Sequence, residues 1–121
     1  MKKRKILYFD MDNVLVDFSS GIARLSEETL KDVYILSTAP WKNISAWSDK
    51  AAWVHKYFGE EKDSPFYKRL IISHHKNLNK GDFLIDDRTK NGAGEFEGEL
   101  ILFGSEKFPD WERVCDYLAG K

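Results

Sequence analysis

Five short apolar runs punctuate the chain, at Ile6–Phe9, Val33–Leu36, Leu70–Ile72, Phe83–Ile85 and Leu100–Phe103. Continuous runs of this length, without alternation of apolar and polar residues, are the mark of strands covered on both faces. Helical patterns lie between several of them. Phe18, Ile22, Leu25 and Thr29 step by four, three and four, and Asp17 or Ser19 stands ready as a cap. Ile44, Trp47, Ala51, Val54 and Phe58 form a second stripe that Gly59 ends. Pro109 is expected to open a last helix with Trp111, Val114, Cys115 and Leu118 facing inward. These stripes are read as core.

Strands alternating with helices imply an α/β fold: a three-layer, Rossmann-like parallel sheet with helices on both faces. At 121 residues the chain suffices for one domain, 1–121, with an apolar core that needs no staples. One interval resists the pattern. Ser73 to Asp82 is too short for a helical crossover between parallel neighbours, so the third strand is expected to be short, peripheral or irregular. Asn91-Gly92-Ala93-Gly94 reads as a flexible turn before the fifth strand.

Composition removes several classes of function. Nineteen basic against twenty acidic residues leave a net charge of −1, which offers no broad attraction for a nucleic-acid polymer or an anionic membrane. The basic start Met1–Lys5 is followed by four apolar residues only, too few for an export signal. No run approaches the roughly 18 apolar residues that cross a bilayer. A single cysteine, Cys115, excludes an internal disulfide and suits a reducing, cytoplasmic setting.

In open parallel sheets ligands bind beyond the carboxyl ends of the strands. The polar residues cluster at those places: Asp10 and Asp12 after the first run, Ser37 and Thr38 after the second, His74 to Lys76 after the third, Asp86 and Asp87 after the fourth. Side chains at i and i+2 of an extended segment share a face, so Asp10 and Asp12 can enter one pocket while Met11 turns away. Carboxylates so close require a cation or a shared proton. An Asp-Asn turn bonding its own backbone is the plain alternative. A calcium loop is excluded, because its sixth and twelfth positions would be Leu15 and Gly21 in place of Gly and Glu. His74 and His75 point apart if extended and lack a third nitrogen or sulfur ligand, so they are read as structural or supporting residues.

The four strand ends together resemble, in order, the four signature motifs of the haloacid dehalogenase superfamily of phosphotransferases. Asp10-Met11-Asp12-Asn13-Val14 looks like the first, Leu36-Ser37-Thr38 the second, Lys76 the third and Asp86-Asp87 the fourth. Within that superfamily the words Ser37-Thr38-Ala39-Pro40, Ala52 to Gly59 and Leu84 to Arg88 resemble the 5'(3')-deoxyribonucleotidases. The resemblance implies a Mg²⁺-dependent phosphomonoesterase acting on small nucleoside monophosphates, pyrimidine deoxynucleotides among them. Asp10 would be the nucleophile and Asp12 the general acid and base. Asp10, Asp12 and Asp87 would ligate the metal, with Asp86 in support. Thr38, Lys76 and Lys50 would contact phosphate, and Phe18 would lie near sugar or base unless it is simply the first core residue of its stripe.

The chemistry of each residue type agrees. A carboxylate can attack phosphorus in line once a cation offsets the repulsion of two anions. Hard oxygen donors suit Mg²⁺ rather than zinc. A hydroxyl and an ammonium suit the charge on a transferring phosphoryl group.

Two departures stand out. Only Val14 to Asp32 separate the first two strands, room for one crossover helix and none for the helical cap of the nucleotidases, so the core is expected to lack a sizeable cap. A natural minimal form, a deletion or an internal stretch absent from the sequence would each give this join. Ala39 also replaces a hydroxyl that eukaryotic nucleotidases commonly carry. Two rival functions remain: a phospho-acceptor signalling domain, whose motif order differs, and a weak nucleotide-binding scaffold with an open sheet end.

Overall fold

The computed structural model describes residues 5–11, 31–119 and 121. Five strands, β1 (Lys5–Phe9), β2 (Lys31–Ser37), β3 (Leu70–Ile72), β4 (Phe83–Asp86) and β5 (Glu99–Leu102), form one sheet in the order β3-β2-β1-β4-β5. Every pairing is parallel. Helix α1 (Ile44–Phe58) precedes β3 and helix α2 (Trp111–Ala119) follows β5. Short 3₁₀ turns occupy Lys76–Leu78 and Ala93–Glu95.

Successive side chains of a strand leave by opposite faces, and the two apolar clusters divide along that line. Leu7, Phe9, Val33, Ile35, Phe83, Ile85 and Ile101 join Val54 of α1 and Val114, Cys115 and Leu118 of α2 in one cluster. Tyr8, Leu36 and Leu84 face the other way, beneath Ala93 and Phe96. Both helices among the described residues thus serve one face, while Ala93 and Phe96 at the 3₁₀ segment pack on part of the other. The helix expected over Phe18 to Thr29 lies outside the described residues.

The stripe on α1 is core in part only. Val54 is buried, and Trp53 and Phe58 pack on the main cluster. Ile44, expected to face inward, is 83% exposed. Trp47 gives its indole N–H to the Pro40 carbonyl at 3.1 Å, so the first turns of the helix serve the loop after β2 rather than the sheet. Gly59 ends α1 at φ +87°, its N–H returning to the His55 carbonyl. The start of α2 also differs from expectation: Asp110, not Pro109, is its boundary, accepting the Arg113 N–H on a carboxylate oxygen at 3.0 Å. Aspartate can cap in this way and proline offers no side-chain acceptor.

The awkward interval before β4 is explained by strand order. β3 has three half-buried residues and pairs with β2 alone, and β4 lies two strands further on. Residues 73–82 therefore cross the sheet rather than join neighbours. The crossing is tied down as it goes, the Tyr8 hydroxyl donating to the Lys80 carbonyl at 2.7 Å and the Asp82 N–H to the Ile6 carbonyl at 2.9 Å.

At the opposite end of the sheet Lys31 is 1% exposed and donates its ammonium to the Leu118 carbonyl at 2.8 Å. Burial, followed by the charge of Lys5, holds its pKa below the ordinary lysine value. This bond ties the last turn of α2 to the start of β2, where a cation also meets the negative helix end. Lys31→Ala should lower unfolding free energy by about 2 kcal/mol, the scale of a charged hydrogen bond, read as a fall in the urea midpoint.

Candidate active site

The carboxyl ends of β1, β4 and β2 converge on a cleft of about 410 Å³ whose walls include Asp10, Thr38, Trp41, His74, Lys76, Asp86, Arg88 and Asn91. Asp10 follows directly on β1, and its N–H donates to the Ile85 carbonyl at 2.9 Å, which continues the ladder between β1 and β4. Asp86 is the last residue of β4. Central strands thus deliver both carboxylates to one point, and Asp10 and Asp86 are buried.

Lys76 lies between them. Its ammonium meets Asp10 Oδ1 at 2.9 Å and Asp86 Oδ2 at 2.7 Å, and the residue is 3% exposed. A lysine spaced ten residues before Asp86 has become a fully buried bridge, because the crossing segment turns back over the sheet end at its 3₁₀ turn. Desolvation dominates at Asp86 and raises its pKa, against the lowering effects of the Lys76 bond and of the Arg88 N–H on Oδ1. Burying two carboxylates without this cation would cost far more than a hydrogen bond.

Asp10, Asp86 and Asp87 each place a carboxylate oxygen within 4.8 Å of the others. Three carboxylates and one ammonium leave two formal negative charges, which a divalent cation would neutralise. Octahedral ligand oxygens about 2.1 Å from Mg²⁺ lie some 3 to 4 Å apart, so a small contraction of this set would suffice. The all-oxygen donors fit such an ion and offer nothing to a thiophilic one. Both oxygens of Asp86 already accept hydrogen bonds, whereas Asp87 is half-buried at the edge of the group.

The other expected residues fall into three groups. Thr38 lines the cleft, its hydroxyl donating to the Ser73 carbonyl at 2.7 Å. Lys50, on α1, reaches the Ser37 hydroxyl at 3.0 Å and is not part of the cleft wall. Asp12 and Phe18 lie outside the described residues. Ala39 is fully buried. His74 lies in the cleft wall with its ring 5.5 Å from that of Trp47, and His75 is exposed.

Trp41, Arg88, Lys90 and Asn91 also line the cleft, and none of them carried a sequence signal as a site residue. Asn91 belongs to a turn that the sequence suggests is flexible. It is instead closely packed. The Asn91 carbonyl accepts the Lys76 N–H at 2.8 Å, and Gly92 has φ +83°. A Cβ on Gly92 would stand 2.2 Å from Asn77 Oδ1 and 2.9 Å from the Lys76 nitrogen. Glycine at 92 is the signal that would have found this support, since only glycine adopts that backbone against so close a neighbour.

A parallel α/β sheet whose strand ends gather an acidic triad around a buried lysine defines a haloacid dehalogenase-type phosphatase core. Comparison with known proteins narrows the class. Residues 19–117 match the family model described as 5' nucleotidase, deoxy (pyrimidine), cytosolic type C protein, and the chain belongs to that family. A protein of Vibrio phage KVP40, provisionally assigned as a 5'(3')-deoxyribonucleotidase, is 48% identical across 98% of this chain and 86% of its own length. The Bacillus subtilis 5'(3')-deoxyribonucleotidase is 32% identical over 69% of this chain and 46% of its own, and the human mitochondrial 5'(3')-deoxyribonucleotidase 33% identical over 54% and 22%. The chain is a phosphatase-type hydrolase of that family. The phage alignment extends over 151 positions, more than the 121 residues of this chain, so that relative carries residues inside the matched span with no counterpart here.

Two outcomes test the geometry. Lys76→Ala should cost about 3 to 5 kcal/mol of stability in chelator, because two buried carboxylates lose their counter-charge; excess magnesium should recover part of that loss, measured by thermal unfolding with and without the ion. Gly92→Ala should leave a folded protein by circular dichroism while lowering phosphatase turnover about tenfold to a hundredfold, since a displacement of about 1 Å in a positioned group has that effect.

Proposed function

We propose that this chain, as a single core domain, is a Mg²⁺-dependent phosphomonoesterase that hydrolyses nucleoside monophosphates, deoxyribonucleoside monophosphates foremost, through an aspartyl-phosphate intermediate on Asp10. The observation that carries the reading is the buried meeting of Asp10, Lys76 and Asp86 beside Asp87 at the sheet end, in a chain of the nucleotidase family. The substrate class follows the deoxyribonucleotidase relatives.

In this scheme the Asp10 carboxylate attacks phosphorus as the bond to the nucleoside oxygen breaks on the opposite side. Asp12 supplies the proton that the departing oxygen takes up. Asp12 then removes a proton from water, which attacks the phosphoryl group, releases inorganic phosphate and restores the Asp10 carboxylate. Thr38 donates a hydrogen bond to a non-bridging phosphate oxygen, for which it must leave the Ser73 carbonyl or share its hydroxyl. Lys76, already oriented by its two carboxylates, faces the charge on the transferring group without needing to reorganise. Lys50 acts one step removed, through Ser37, unless it swings toward the ligand.

Asp10, Asp87 and the Asp12 carbonyl would hold Mg²⁺, with Asp86 keeping Lys76 in place. When bound, the ion offsets the repulsion between carboxylate and phosphate and polarises the phosphoryl oxygens. Phe18 would contact sugar or base. The partner in this reading is a small phosphate ester rather than a polymer of nucleic acid or a membrane.

The test is phosphate release from a panel of nucleoside 5'- and 3'-monophosphates. Magnesium should support turnover, chelator should abolish it, and Asp10→Asn should reduce it by at least about a thousandfold, as loss of a covalent nucleophile does. Full turnover in Asp10→Asn would refute the mechanism.

A further inference from the structure

The inner part of the cleft is charged, but part of its wall is aromatic. Trp41 lines the same cleft as Asp10 and Lys76 and is nevertheless 77% exposed. A phosphate has no use for an indole face, so this surface calls for an apolar, planar part of the ligand. The ring is built in rather than loosely hung. The Pro40 carbonyl, one residue earlier, accepts both the Trp47 indole N–H at 3.1 Å and the Asn43 N–H at 3.3 Å. His74 packs against both tryptophans, its ring centroid 6.0 Å from Trp41 and 5.5 Å from Trp47.

The same two loops hold Thr38, whose hydroxyl bonds Ser73, the residue before His74. Trp41 is three residues beyond Thr38, at most about 10 Å of extended chain. That is the scale on which a mononucleotide separates its base from its phosphate.

We propose that Trp41, braced by His74 and Trp47, is the stacking platform for the nucleobase of a nucleoside monophosphate whose phosphate lies at Asp10. The base subsite is then furnished by the core loop after β2 rather than by an inserted cap. This rests on the nucleotidase reading above. Stacking accepts any base, because each has a π face, so this subsite favours nucleotides over abasic esters and discriminates weakly among bases.

The experiment compares deoxyuridine 5'-monophosphate with deoxyribose 5-phosphate, which has no base, in the intact chain, Trp41→Ala and Trp41→Phe. Trp41→Ala should lower kcat/KM for the nucleotide about tenfold, the scale of one base stack. The loss on deoxyribose 5-phosphate should be far smaller, and Trp41→Phe should recover most of the nucleotide activity. Unchanged nucleotide kinetics, or equal losses on both esters, would overturn the platform. If the intact chain hydrolyses neither ester, the nucleotidase reading fails. Calorimetric binding of deoxyuridine 5'-monophosphate then decides the platform separately: about tenfold weaker binding to Trp41→Ala upholds it, and equal binding or none refutes it.

Discussion

One ammonium group between two buried carboxylates organises this protein. Asp10 and Asp86 arrive at the sheet end because β1 and β4 are hydrogen-bonded neighbours, and like charges brought so close would repel in a medium that screens poorly. Lys76 removes that conflict. Much of the irregular backbone follows from placing it there. The crossing segment leaves β3 at the carboxyl end of the sheet, delivers one lysine there and then descends to begin β4. The Asn91-Gly92 turn holds that detour in position through the Lys76 backbone.

An arrangement that is neutralised from within still carries excess negative charge. Counting Asp87, the group is two charges short of neutrality, which is the charge of a divalent ion. Lys76 and such an ion are complementary rather than competing: the lysine orients Asp10 and Asp86, and Asp87 stands at the more open side. Phosphoryl transfer needs positioning and counter-charge more than covalent machinery beyond the nucleophile. A small parallel sheet can supply both from strand ends alone.

The rim of the cleft answers a different requirement. A site that must recognise more than phosphate needs apolar surface. Here the described residues place an indole on the loop after β2, with the first turns of α1 given over to holding that loop. The exposed Ile44 and the outward Trp47 make sense in those terms. They are departures from a helix that only covers a sheet.

How far the amino-acid order reaches is visible element by element. The five strands and α1 are legible to within a residue or two, because buried parallel strands are continuous apolar runs and α1 has a sustained stripe with a glycine stop. Asp10, Asp86 and Asp87 are legible as a group that meets, since strand ends in such sheets are where ligands bind. What one dimension could not provide is distance and burial. Whether Lys76 is a solvated side chain or a dry bridge depends on strand order, which puts β3 at an edge and sends residues 73–82 across two strands. The packing of Gly92 on Asn77 and the place of Trp41 beside the charged cleft depend on contacts between segments far apart in the chain. Local periodicity encodes which face of an element is apolar; only the assembled sheet decides which charges meet.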